Sequence, residues 1–206
     1  MASTVRPERP GPLPEPPDDL ATRELPLAEA PGPWTRLHWL SKDPIFFGKT
    51  DGNRFDAPNE EYGVLYAGQD AHCAFIETHG DALSRVVSTT ELARKGFALI
   101  LPSQPLRLVD LTGPGLARLC ADERLASGNH AGARRWALAL WAHPSSPDGL
   151  LYRARHDPSR RSVAIFDRAE GHLDVRHLGG LLDPLNARLV ADILDTYGFG
   201  LVGPYP

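Results

Sequence analysis

Three side chains within GNRFDAPNEEYGVLYAGQDAHCAFIETHG (52–80) have types and spacings suited to chemistry: Arg54, Tyr66 and Glu77. A guanidinium offers a planar fork of donors that matches phosphate oxygens. A tyrosine near a strand end can stack its ring on a flat heteroaromatic group. The glutamate fits its surroundings less well. Asp70 reads as the N-cap of a helix over about 71–79 that stops at Gly80. At 100° per residue Glu77 falls between Cys73 and Ala74, opposite His72 and His79. A carboxylate with apolar neighbours on both sides is partly desolvated. Either a salt bridge to Arg54 at a loop junction or a cationic ligand would offset that cost.

The elements that must position these residues alternate between short β-like runs and helical ones from Trp34 onward, which predicts a single α+β domain over 34–206. WTRLHWL (34–40), YGVLYA (62–67), FALIL (97–101) and LRLVDL (106–111) read as strands. DGLLYRAR (148–155) and SVAIFDR (162–168) flank a turn signal, as a hairpin would. Helices are expected over His130 to about His143 and from an Asp183-Pro184 start to Gly198. Residues 1–33 hold nine of the 20 prolines and read as a solvated, flexible arm, or as a strap packing on a second copy through Leu20, Leu25 and Leu27. Trp39, Phe46 and Phe47 suit an interface of a homodimer or the core.

Composition narrows the function. The 206 residues carry a net charge of −4, which gives no general attraction to nucleic acid or anionic lipid. Cys73 and Cys120 form no C-x-x-C pair, and no apolar run suits a signal-peptide core or a membrane span, so a reducing cytoplasm is expected. His72 and His79 are seven residues apart, too far along a helix to ligate one zinc ion. They and the isolated His143 and His156 read as surface residues, and no metal is expected. GPGLAR (113–118) has an arginine at the third glycine of a dinucleotide fingerprint. Phosphate-loop and nucleophile-elbow motifs are missing.

Arginine, tyrosine and a desolvated carboxylate around one ligand suit an anion that gains positive charge as it reacts. NAD+ has a pyrophosphate, a nicotinamide ring, and a glycosidic carbon that becomes cationic as nicotinamide leaves. Gly52-Asn53-Arg54-Phe55, then Val64-Leu65-Tyr66-Ala67, then Ala74-x-x-Glu77 eleven residues after that tyrosine, resemble the motifs of the RES domain, the toxin half of RES–Xre toxin–antitoxin pairs. DLTGPGLARLCADERLASG (110–128) and DGLLYRARHDPSRRSVAIFDR (148–168) are similar to its middle and terminal segments, so the resemblance spans about 34–170.

The resemblance implies a fold similar to ADP-ribosyltransferase toxins and degradation of NAD+ by hydrolysis or phosphorolysis, or in some members transfer of ADP-ribose to a protein. It implies Arg54, Tyr66 and Glu77 as catalytic residues, with Arg36, Phe55, Ala154 and Arg155 on the dinucleotide. It also implies an Xre-type antitoxin covering the site. One position departs. The family reads Y-[PR]-S-R where this chain reads Tyr152-Arg153-Ala154-Arg155. The missing hydroxyl implies a weakened enzyme, or a protein that only binds a nucleotide or partner. Ser159 and Ser162, in or after the turn, are not expected to substitute.

Overall fold

Along Val64-Leu65-Tyr66-Ala67, Leu150-Leu151-Tyr152 and Val163-Ala164-Ile165-Phe166, alternate side chains enter two different apolar layers, as they do in strands covered on both faces. In the computed structural model, which describes residues 13–203, these segments form the centre of an eight-stranded sheet. Its strands are β1 (Leu27–Ala30), β2 (Trp34–Trp39), β3 (Val64–Gly68), β5 (Lys95–Pro102), β6 (Leu106–Asp110), β7 (Gly149–Arg153), β8 (Arg161–Phe166) and β9 (Leu173–Gly180). They lie in the order β1-β6-β7-β8-β3-β2-β5-β9. Neighbours run antiparallel except β6 and β7. The short strands β4 (Val86–Ser88) and β10 (Gly200–Val202) pair separately, in parallel.

Helices cover the sheet. They are α1 (Ala71–His79), α2 (Thr89–Leu92), α3 (Pro114–Arg118), α4 (Arg124–Ser127), α5 (His130–Trp141) and α6 (Ala187–Tyr197). Helix α5 lays Ala133, Trp136, Ala137 and Leu140 against the layer that holds Phe55, Tyr62, Tyr152 and Phe166. On the other face Trp34, Leu65, Ile100, Leu108 and Ile165 pack together. Phe75 and Ile76 of α1 meet Val190 and Ile193 of α6 over Phe97. The mixed α/β architecture and the β7–β8 hairpin match the sequence reading.

Three expectations need correction. Of the stretch 1–33, residues 1–12 lie outside the described residues, but 13–33 is not a solvated arm. Leu13, Leu20 and Leu25 are buried in this chain's own core, and β1 pairs with β6. The prolines remove donors without preventing attachment: the Trp136 indole N–H donates to the Pro14 carbonyl at 2.7 Å, and Glu15 pairs with Arg135. The C-terminal helix ends at Gly198, which is left-handed as a terminating glycine permits, yet it starts at Ala187. Asp183 caps a turn instead, accepting from the Gly180 N–H at 2.6 Å.

The histidines form the third correction. His79 is 6% exposed and stacks on Phe75 at 4.4 Å. Its Nδ1–H donates to the Phe75 carbonyl, which leaves Nε2 facing the Lys95 ammonium at 3.1 Å. Burial and that lysine push the imidazole below its usual pKa. His143, also 6% exposed, bridges Ser145 and the Arg23 carbonyl. Helical spacing gave the azimuth of His79 but not which face the sheet would cover.

Candidate active site

The strand–helix junction from β3 to α1 opens a cleft of about 500 Å³. Asp70 caps α1 through the Cys73 N–H at 2.8 Å. Gly68 lets the helix start directly on the strand, since a Cβ there would sit 2.7 Å from that of Cys73. Strands β2 and β3 form the floor with Thr35, Arg36, Leu37, Tyr66 and Ala67. One wall carries Ala74, Glu77 and Thr78 of α1 together with Arg155 and His156. The other carries Gly52, Asn53, Arg54 and His130. Tyr152 and Ser162, register partners on β7 and β8, close the end.

Arg54, Tyr66 and Glu77 therefore converge, as do Arg36 and Arg155. The carboxylate of Glu77 does not rest on Arg54. It accepts from the backbone N–H groups of Arg155 at 2.8 Å and His156 at 3.3 Å. Burial raises its pKa above the usual carboxylate value, against the pull of those two hydrogen bonds and the nearby arginines. Arg54 donates to the Gly128 carbonyl at 2.6 Å and is only 9% exposed. Its pKa is lowered by burial first and by Arg155 second. The Tyr66 hydroxyl is fully engaged within the protein, donating to Asp56 Oδ1 and accepting from the Phe55 N–H, both at 2.9 Å. Only its ring is left for a ligand.

Arg36 carries the most informative polar atom. One guanidinium nitrogen donates to the Phe46 carbonyl at 3.1 Å, while the other, Nη1, is buried without a protein partner. Burial holds this arginine's pKa down to about 10. A buried donor with nothing to donate to costs free energy, and it belongs to a residue that lines the cleft.

Two residues named from the sequence do not reach the cleft. Phe55 is fully buried and packs edge-on against Tyr152 at 5.0 Å, a core residue that fixes its neighbour Arg54. Ala154 is 1% exposed, and its N–H donates to the Arg160 carbonyl. The serine hydroxyl that the cleft does contain comes from the other arm of the hairpin. Ser162, 2% exposed, lies 3.2 Å from the Cys73 sulfur and is the register partner of Tyr152. Tyr152 and His130 were not named because each joins the cleft through tertiary packing, and Ser162 was set aside because it lies after the turn. Counting the hairpin register from Tyr152 across the turn would have found the serine.

The loop that presents Arg155 and His156 is stapled on both sides. Arg160 pairs with Asp70 at the start of α1 and with Asp157 inside the loop, and Tyr197 of α6 donates to Asp157 at 2.9 Å. Gly80 allows the His156 ring to approach the end of α1, where a Cβ would come within 2.3 Å of it. Among the described residues, no group of three or more His, Cys, Asp or Glu is placed to hold a metal ion. No described helix is long and apolar enough to cross a membrane.

Residues 27–183 match the family model of the RES domain. The chain belongs to the RES domain family. The match begins at the first residue of β1. A protein described as "Probable toxin y4kH" from Sinorhizobium fredii (strain NBRC 101917 / NGR234) is 33% identical over 117 residues, covering 56% of this chain and 90% of that one. Among solved structures, a chain of the M. tuberculosis MbcT–MbcA toxin–antitoxin complex superposes with a TM-score of 0.59 at 17% identity. The match covers 80% of this RES chain and 92% of the other, and places both in one fold.

Proposed function

We propose that this RES domain protein cleaves the nicotinamide–ribose bond of NAD+, with water or inorganic phosphate as acceptor, and acts as the toxin of a toxin–antitoxin pair in the cytoplasm. The observation that carries the reading is the cleft's charge arrangement. A half-buried carboxylate, Glu77, shares a space of dinucleotide scale with Arg36, Arg54 and Arg155, and one of those guanidinium groups has an unpartnered buried N–H.

Arg36 and Arg54 hold the pyrophosphate, and Arg155 adds positive charge at the mouth. The Tyr66 ring packs against nicotinamide. Glu77 accepts from a ribose hydroxyl and stabilises the positive charge that grows on the anomeric carbon as the C–N bond breaks. The bonding electron pair leaves with nicotinamide, which departs neutral, and an acceptor oxygen forms the new bond to carbon, with the extra proton released to solvent when water is the acceptor. Backbone hydrogen bonds to Glu77 keep its carboxylate aimed while burial removes competing water. Ser162 offers a hydroxyl at the closed end, so Ala154 supplies no reason to expect an inactive protein.

The relative described as a probable toxin and the neighbour taken from a toxin–antitoxin complex support the physiological part. An antitoxin, of Xre type by resemblance, would cover the cleft. The test is to incubate purified protein with NAD+, with and without inorganic phosphate, and to identify the products by mass spectrometry. Free nicotinamide with ADP-ribose or its phosphorylated form is expected. Unchanged NAD+ under both conditions would overturn the reading, and ADP-ribose attached to protein would replace it with a transferase.

A further inference from the structure

We infer that Asp56 is the positioning residue that sets the arginine wall of the cleft, a role that rests on the function proposed above. Its side chain lies outside the lining of the cleft, and the residue is 1% exposed. The carboxylate takes four hydrogen bonds, divided between its two oxygens. Oδ1 accepts from the Tyr66 hydroxyl at 2.9 Å. Oδ2 accepts from the Asn53 N–H at 2.8 Å, the Asn53 side-chain amide at 3.0 Å and the Thr50 hydroxyl at 3.3 Å. One group thereby joins the floor tyrosine to the loop carrying Arg54. Tyr66 closes the same loop from its other side by accepting from the Phe55 N–H.

Only a carboxylate satisfies this set. All four partners donate, and an asparagine presents one acceptor oxygen and one NH2 group. If its oxygen faces Asn53 and Thr50, its NH2 meets the Tyr66 hydroxyl and that hydroxyl's proton is left without an acceptor. If it is turned over, the NH2 meets three donors. Either way a buried donor loses its partner, and the loop gains alternative conformations. Arg54 itself also bonds Gly128, so the fold need not be lost with the clamp.

The consequence differs from general destabilisation. When only a fraction of molecules holds the loop in its binding conformation, ligand affinity falls by that fraction, and bound substrate restores the order. Asp56→Asn is therefore expected to raise KM for NAD+ by roughly tenfold, with kcat within about threefold of wild type. A merely structural role would lower the active fraction and hence kcat, leaving KM unchanged. Asp56→Glu, which keeps two acceptor oxygens, should recover part of the KM effect.

A second measurement does not depend on the proposed reaction. Brief trypsin treatment of the native proteins, read by mass spectrometry, should cut after Arg54 in Asp56→Asn well before it does in wild type. Other arginine and lysine sites should keep their wild-type rates. If wild type leaves NAD+ intact, the proposed function fails and the trypsin experiment alone decides the role of Asp56. Equal cutting after Arg54 in both proteins, or a uniform rise at all sites, would overturn the inference. So would a fall in kcat at constant KM.

Discussion

The two walls of the cleft are held in different ways. The wall carrying Glu77 rests on a capped helix, on two backbone N–H donors, and on a loop tied separately to α1 and α6 through Asp70, Asp157, Arg160 and Tyr197. Losing one of those ties leaves others. The wall carrying Arg54 is a loop that gathers four of its hydrogen bonds on one buried carboxylate, beside those of Arg54 to Gly128, Arg134 to Asn53, and Tyr62 and Tyr66 to Phe55. The contrast suits the chemistry assigned to each side: a carboxylate facing a developing cation must be fixed beforehand, whereas phosphate-binding arginines can be ordered in part by the ligand.

The largest effect should come from removing the charge on the firmly held wall. Glu77→Gln keeps an oxygen for the Arg155 N–H but cannot stabilise a cation, so kcat should fall on the order of a hundredfold to a thousandfold. Stability should move the other way. Burial raises the Glu77 pKa, so in the folded state its ionised form is disfavoured, and the contribution of the protonated form is lost as pH rises from about 4.5 through the raised value. At neutral pH the variant should melt at the same temperature as wild type or higher, as thermal denaturation can show. The same shift sets an acid limb in the rate: kcat/KM should decline as pH falls through a value above 4.5. An acid limb below that value, or a variant that melts well below wild type, would mean that Glu77 is a structural residue.

A medium effect separates two serine positions at the closed end. Ser162→Ala should lower kcat/KM by about tenfold, the range of one neutral hydrogen bond, and should destabilise the fold by no more than about 1 kcal/mol, since the hydroxyl's partner is the weakly bonding Cys73 thiol. Ala154→Ser should give no gain in NAD+ turnover. Its methyl group is buried away from the cleft, and a hydroxyl there has to find an acceptor at a cost of about 1–3 kcal/mol. If Ala154→Ser raises turnover while Ser162→Ala leaves it unchanged, the family's serine function belongs to position 154.

How far the sequence could be read follows the same division. Glu77 was legible because a cap, a helical period and a terminating glycine all lie within eleven residues. The hairpin was legible because its turn residues are local. The identity of the carboxylate's partners was not: pattern suggested Arg54, and the backbone of a loop 78 residues later occupies that role. Proline density misled at residues 13–33, because it reports the absence of helix and of ladder donors. It does not report whether Leu13, Leu20 and Leu25 find an apolar surface. Strand β9 was missed because the alternation of HLDVR (172–176) breaks at Arg176-His177 and ends in two glycines; it lies at the sheet edge, where one ladder is open.

The smallest effect should come from a tie on the redundant wall, which makes it the sharpest check of the contrast. Arg160→Ala removes the pairs to Asp70 and Asp157, both partly exposed, so each is worth no more than about 1 kcal/mol. Tyr197 still holds Asp157, Ala154 still bonds the carbonyl of residue 160, and α1 keeps its cap through Asp70 and Cys73. The Arg155 and His156 N–H groups thus stay close to Glu77, and kcat should fall by no more than about threefold, with the pH at the midpoint of the acid limb unchanged. Loss of those two donors would raise the Glu77 pKa further, since together with Arg54 and Arg155 they oppose its desolvation. Measuring the acid limb of Arg160→Ala beside that of wild type decides between the two. A limb displaced to higher pH would show that the loop depends on this one arginine, and that the two walls are equally fragile.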